Sequence, residues 1–286
     1  MGFHSVHDGE ATAVRPSFWA EIVVRRRCLK AWLLSAFTVL CGPAAWAESC
    51  PTAKDAIATD RPDTTNSSLV VPEGSLQSEN GVNASTRDGG RSIDGSNTRL
   101  RLGVAPCLEL LVDLPNYVAN IHGAGSSGFS DVSPAIKWQV SPLPGTIDLS
   151  LVAGVALPTG TIDIAGRGAQ PYLQLPWSVE LHDGWSVNGM LTEFFRPSDS
   201  TTKGISEVTF VLEKALTDRI SVFTEYVGDY PENGGSSQLL NSGGIFRLTQ
   251  TQQLDFHFAF GLNRNAPSYV VGLGYSFRLD GLFARR

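Results

Sequence analysis

The chain has 286 residues, 42% hydrophobic and only 17% charged, with 29 glycines and a formal charge of −6. That balance argues against a disordered chain, which lacks apolar residues, and against a helical bundle, which carries more Glu, Lys and Arg and keeps glycine out of its helices. The acidic charge argues against a nucleic-acid binder, which needs a basic patch.

The first element is a targeting segment, residues 1–47. Arg25, Arg26, Arg27 and Lys30 form a positive region, Ala31 to Gly42 an apolar run, and Ala45-Trp46-Ala47 a small-residue cleavage site. The apolar run is shorter than the ~20 residues a spanning helix needs, so the pattern is a secretory signal rather than an anchor. A start near Val23 or Val24 would leave a compact signal. Export places Cys50 and Cys107 in an oxidising space, where they can pair. As small apolar residues they can equally stay unpaired.

Residues 48–74 hold Asp60, Arg61 and Asp63 around Pro62. They read as a solvated periplasmic segment with a proline turn. The alternative is a segment that folds into the mouth of the following domain and plugs it.

From Ser75 onward the hydrophobic period is two, the period of strands. In Leu254 to Leu262 every even position is large and apolar, while the odd ones are Asp255, His257, Ala259 and Gly261. Strands are expected at about 75–86, 97–104, 107–118, 129–141, 146–158, 170–182, 184–196, 205–216, 219–229, 238–249, 253–263 and 268–278. Tight turns fall at Ala105-Pro106, Pro142 to Gly145, Asp183, Thr217-Asp218 and Gln250 to Gln252. Longer polar loops fall at Arg87 to Ser96, Ala119 to Gly128, Thr159 to Ala169, Pro197 to Gly204 and Tyr230 to Ser237, with a shorter one at Arg264 to Pro267.

Short turns alternating with long loops, and strands of about 9–11 residues, describe an outer-membrane barrel. A sheet in hydrocarbon must close, because lipid offers no partner to edge N–H and C=O groups. The fold expected is all-β: a single antiparallel transmembrane β-barrel of about 12 strands over residues 75–279, with long external loops, short periplasmic turns and a tail at 280–286. A soluble β-sandwich or ligand-binding barrel also alternates. Two features favour the membrane form. Polar residues of both signs occupy the non-apolar face, and aromatics gather near strand ends. Trp138, Trp185, Phe246 and Phe277 lie at the turn end, and Phe195, Tyr226 and Tyr269 lie toward the loop end, as two interfacial girdles would.

Several stretches carry a family likeness. They are Thr59-Asp-Arg-Pro-Asp63, Val71-Pro-Glu-Gly-Ser-Leu-Gln77, Glu79-Asn-Gly81, Gly128-Phe-Ser-Asp-Val132, Leu157-Pro-Thr-Gly160, Leu216-Thr-Asp-Arg219, Glu225-Tyr-Val-Gly-Asp229, Gly261-Leu-Asn263 and Ala266-Pro267. In order and spacing they resemble the meta-pathway phenol-degradation family, often labelled simply "transporter". The resemblance implies an outer-membrane barrel that passes hydrophobic or aromatic compounds, and it brings no catalytic residues. Phe277 or Phe283 would serve as the terminal aromatic usual in such barrels.

The polar face should line a lumen. The candidates are Arg99, Arg101, Glu109, Asp113, Lys137, Asp148, Glu180, Asp255 and His257. They can set the field of a pore, or pair across a narrow barrel and fill it, since a buried charge is costly unless paired. Gly123-Ala-Gly125-Ser-Ser-Gly128 fits a dinucleotide fingerprint, but an alternating segment follows where a helix is required, so no cofactor is expected. No histidine has a serine and acid partner nearby, and no Cys/His cluster suggests a metal. The reading is a channel, not an enzyme. A non-conducting structural barrel and an outer-membrane hydrolase are the alternatives. The partners expected are outer-membrane lipid, a small-molecule solute and the outer-membrane assembly machinery, with no nucleic acid.

Overall fold

The structure is a computed structural model, and it describes residues 50–123, 125–140, 147–166, 168–196 and 204–282. The targeting segment at 1–47, the turn at 142–145, most of the loop at 197–204, and Phe283 with the rest of the tail lie outside the described residues.

Fourteen strand segments form one antiparallel sheet. They are β1 (Leu76–Arg87), β2 (Gly90–Ala105), β3 (Leu108–Asp113), β4 (Tyr117–His122), β5 (Gly128–Phe129), β6 (Ser133–Gln139), β7 (Ile147–Ala156), β8 (Gln170–Glu180), β9 (Trp185–Phe195), β10 (Gly204–Ala215), β11 (Ile220–Pro231), β12 (Ser237–Thr249), β13 (Gln252–Gly261) and β14 (Tyr269–Leu279). β1 pairs with β14 as well as β2, which closes the sheet. β3 runs on into β4, and β5 into β6, as two interrupted staves, so the barrel has twelve. No α-helix occurs among the described residues.

The apolar face points outward. On β13, Leu254, Phe256, Phe258 and Phe260 are 37–53% exposed, whereas Gln253, Asp255, His257 and Ala259 are at most 9% exposed. The protein is thus inverted, with a polar interior and an apolar belt, as a lipid-embedded barrel requires. Exposed Trp185, Phe246, Phe195 and Tyr269 stand at strand ends on that belt.

Three expectations need correction. Arg87 to Ser96 is not a long loop. Asp88 and Gly89 both take positive φ (49° and 77°) and close a two-residue hairpin, so β2 begins at Gly90. Left-handed backbone at both central positions is what such a hairpin needs, and Asp-Gly suits it. Part of the loop expected at 119–128 is likewise strand, because β4 continues to His122 along the lengthened β2.

The strands expected at 107–118 and 129–141 are both broken. Pro115 lies in the first break and has no N–H for the ladder. Side chains take over there. Asn116 Oδ1 accepts from Asn97 N (3.1 Å), and Ser130 Oγ accepts from Asn116 N (2.8 Å).

Residues 50–75 depart from expectation as well. They do not form a solvated leader. They enter the barrel at the turn end and circle its interior.

Candidate lumenal site and its internal segment

The internal segment starts at Cys50, joined by a disulfide to Cys107 in the β2–β3 turn, with Cα atoms 5.3 Å apart. At the turn end Arg278 Nη2 donates to Ala53 O and Asp55 O, and Ile57 N donates to Gln250 O. Asp55 accepts from Thr52, which holds its carboxyl below the usual range. The chain then climbs. Thr59 accepts from Gln253 on β13, and Asp60 N donates to Glu79 on β1 (2.9 Å).

At its tip the segment reaches the opposite wall. Thr64 N and Thr65 N donate to Glu225 on β11 at 2.9–3.0 Å. The Thr65 hydroxyl bonds Glu225 (2.8 Å) and Thr209 on β10 (2.5 Å). Asn66 donates to Gln174 on β8 (2.9 Å). The chain returns past Ser178 and Ser150, which bond the hydroxyl and the carbonyl of Ser68. Val70 N then meets Gln139 on β6, and Val71 N meets Glu109 on β3 (2.5 Å). Gly103 completes the seat. Its backbone lies so close that a Cβ there would collide with the carbonyls of Val71 and Pro72.

These partners explain the polar face of the strands. A chain without secondary structure exposes its own N–H and C=O groups, and each must be satisfied inside the barrel. Short polar side chains on the segment and Glu, Gln, Ser and Thr on the wall do this.

An ion-pair cluster anchors the segment on one side. Asp60 is buried against Arg101 Nη1 (3.2 Å), Lys137 Nζ (3.2 Å) and Arg99 Nη1 (3.0 Å). Burial opposes ionisation of Asp60, but Arg101, Lys137 and Arg99 outweigh it and hold the carboxyl below its ordinary range. Arg101 also pairs with Glu79 (3.0 Å) and Glu109 (2.9 Å), and Lys137 with Glu109 (3.5 Å). Arg99 grips Asp113 through Nε (2.6 Å) and Nη2 (3.0 Å). Arg101, Lys137, Glu79 and Glu109 have no exposed surface. Such a cluster is tolerable only because every charge is matched and hydrogen-bonded.

Of the sequence-derived lumen residues, Arg99, Arg101, Glu109, Asp113 and Lys137 thus meet in one cluster. Asp255 pairs with Arg61 of the segment (3.3 Å). His257 bonds Asn241 and Asn83, both at 3.2 Å. Asp148 shares the inward face and is half-buried, while Glu180 is exposed at the turn end of β8. Sequence reasoning missed Glu79 and Glu225. Both occupy inward positions of the period-two pattern, so the signal was present. It also left Asp60 and Arg61 outside the barrel.

Several cavities border the segment, and two of them face the β8–β11 wall. One of about 320 Å³ lies toward the turn end, bordered by Asp63, Glu180, Glu213, Ser186 and Arg247. The other, of about 490 Å³, lies toward the loop end, bordered by Tyr172, Phe194, Met190, Ile205, Glu207 and Asp229. Thr64, Thr65 and Asn66 lie between them. Burial and then Glu225 and Glu213 push the Asp63 carboxyl well above its usual range. The imidazole of His257 has two amide partners and no nucleophile, and no group of metal ligands occurs among the described residues.

A closed antiparallel barrel with lipid-compatible residues outside and polar residues within is an outer-membrane β-barrel. Solved structures share this fold. The crystal structure of an outer membrane channel from Pseudomonas putida F1 aligns over 73% of this chain and 97% of its own, with 12% identity and a TM-score of 0.56. The NanC porin aligns over 71% of this chain and 100% of its own, with 8% identity and a TM-score of 0.53. The chain belongs to the family described as "Putative MetA-pathway of phenol degradation", whose profile matches residues 59–279. No curated protein matches it.

Proposed function

We propose that the barrel is a passive channel through which small hydrophobic or aromatic compounds cross the outer membrane. The loop end faces outward and the turn end faces the periplasm. In this reading residues 1–47 are removed on export, the assembly machinery inserts the barrel, and the internal segment narrows it. The observation that carries the reading is the loop-end cavity. Tyr172, Phe194, Met190 and Ile205 give it an apolar, aromatic flank inside an otherwise polar lumen. Aromatic rings offer a solute contact area through dispersion and stacking. The outer membrane channel and the porin that share the fold support the same reading.

The test is uptake of radiolabelled naphthalene by cells whose outer leaflet excludes it, with and without the protein. Faster initial uptake is expected with the protein, and equal rates would refute the proposal. One observation favours the alternative of a structural barrel: Thr64, Thr65 and Asn66 bridge to the far wall. Passage of a solute therefore requires those three residues to yield.

A further inference from the structure

The lumenal charges sort into two walls by their partners. On the β1–β3, β6 and β13 side the cations around the segment are matched: Arg99, Arg101 and Lys137 with Asp60, Glu79, Glu109 and Asp113, and Arg61 of the segment with Asp255, while Arg87 and Arg91 at the loop end form no ion pair among the described residues. On the β8–β11 side the inward charges are Glu180, Glu207, Glu213, Glu225 and Asp229, and none of them forms an ion pair among the described residues. Glu225 is held by neutral donors, from Thr64, Thr65 and Asn241. The charged neighbours of Glu180 are Glu213 and Asp148, and those of Asp63 are Glu225, Glu213 and Asp60. The single basic residue on these four strands, Lys214, points away from the lumen and lies over the Trp185 ring.

Two of the cavities beside the segment lie against this acidic wall, and a third, of about 350 Å³, lies on the ion-pair side between Arg61, Arg99 and Asp113. The turn-end cavity sets Glu180 and Glu213 against Arg247, besides the matched Arg61 and the Asp63 carboxyl, which burial favours in its neutral form. At the loop-end cavity Glu207 and Asp229 hydrogen-bond each other and face Arg196, with Arg87 also near Asp229, besides the matched Arg99 and Asp113. The uncompensated charge at the turn end of the open space is therefore negative. A fixed charge in a narrow, low-dielectric passage concentrates counter-ions and repels ions of its own sign.

We infer that the path beside the internal segment prefers cations, so that it passes neutral and positively charged solutes and disfavours anions, including aromatic carboxylates. Glu180 and Glu213 set this preference at the turn end. The inference rests on the channel reading and deepens it.

The test is the reversal potential of the refolded protein in a planar bilayer under a KCl gradient. The wild type should pass K⁺ at least about threefold more readily than Cl⁻ at 0.1 M salt, with the ratio falling toward one near 1 M as screening shortens the field. The double variant Glu180→Gln, Glu213→Gln should bring the low-salt ratio close to one. Glu180→Asp, Glu213→Asp should retain it. Neither glutamate makes a described hydrogen bond, so these variants should fold. Currents that are non-selective or anion-selective at low salt overturn the inference and leave the channel reading standing. A ratio unchanged in the Gln variant overturns the assignment to these residues. Silence from the folded wild type, and from a Cys50→Ser, Cys107→Ser variant, overturns inference and channel reading together.

Discussion

Replacing Asp60 by Asn tests how the internal segment is held. Three cations converge on this buried carboxylate at 3.0–3.2 Å, and of the three only Arg99 keeps exposed surface. Removing one partner of a buried pair costs about 3–5 kcal/mol. The low end applies here, because Glu79, Glu109 and Asp113 still neutralise Arg101, Lys137 and Arg99. A loss of about 3 kcal/mol in local stability corresponds to roughly 100-fold faster amide exchange, at 1.36 kcal/mol per tenfold step. The assay is hydrogen exchange by mass spectrometry on the refolded barrel in detergent. Peptides covering Thr64, Thr65, Val70 and Val71 should speed up by that factor. Those amides donate to Glu225, Gln139 and Glu109 rather than to strand backbone. Peptides from β13 should not change. Unchanged exchange in the segment, or an equal rise in β13, would refute the anchoring role of Asp60.

Other outcomes follow from the same contacts. The folded-state pKa of Asp60 is lowered, so its contribution is complete above the unfolded value of about 3.9 and is lost as pH falls through the folded value. Exchange at Val70 and Val71, whose amides donate to Gln139 and Glu109, should therefore be flat from neutral pH to about pH 5, after correction for intrinsic rates, and rise only in stronger acid. Gly103→Ala places a methyl group against the Val71 and Pro72 carbonyls. It should expose the segment to protease while the barrel still shows heat-modifiable mobility on gels. Alkylation of the unreduced protein should leave Cys50 and Cys107 unlabelled, with two labels added after reduction. Phe258→Lys, on the outward face of β13, should lower folding stability in lipid by about 2–4 kcal/mol, read from urea titration of barrel folding.

The strands could be read from the sequence because lipid and lumen impose opposite chemistry on alternate residues. Leu254 to Leu262 shows this without any tertiary information. The β1–β2 hairpin was missed because Arg87 to Ser96 is polar and Gly-rich, although Asp88-Gly89 itself is a hairpin signal. The breaks at 114–116 and 130–132 depend on which side chains can replace ladder bonds, and that is decided by neighbours. The internal segment was harder still. Thr64, Thr65, Asn66, Ser67 and Ser68 have the composition of a solvated leader, and a polar lumen satisfies them as water would. Pairing between Asp60 and three cations as many as 77 positions away leaves no periodic trace. What the sequence did contain was the complement, a row of inward charges that needed partners.

In the proposed channel, the chain's own residues 57–71 narrow the lumen. Single-channel recording of the wild type beside a variant with those residues replaced by a Gly-Ser linker of equal length, Cys50 and Cys107 retained, tests it most directly. Small, cation-preferring steps are expected from the wild type and steps several-fold larger from the variant, because the linker lacks the bonds to Glu225, Gln174, Gln139 and Glu109. Equal conductance from the two proteins, both folded, would contradict it.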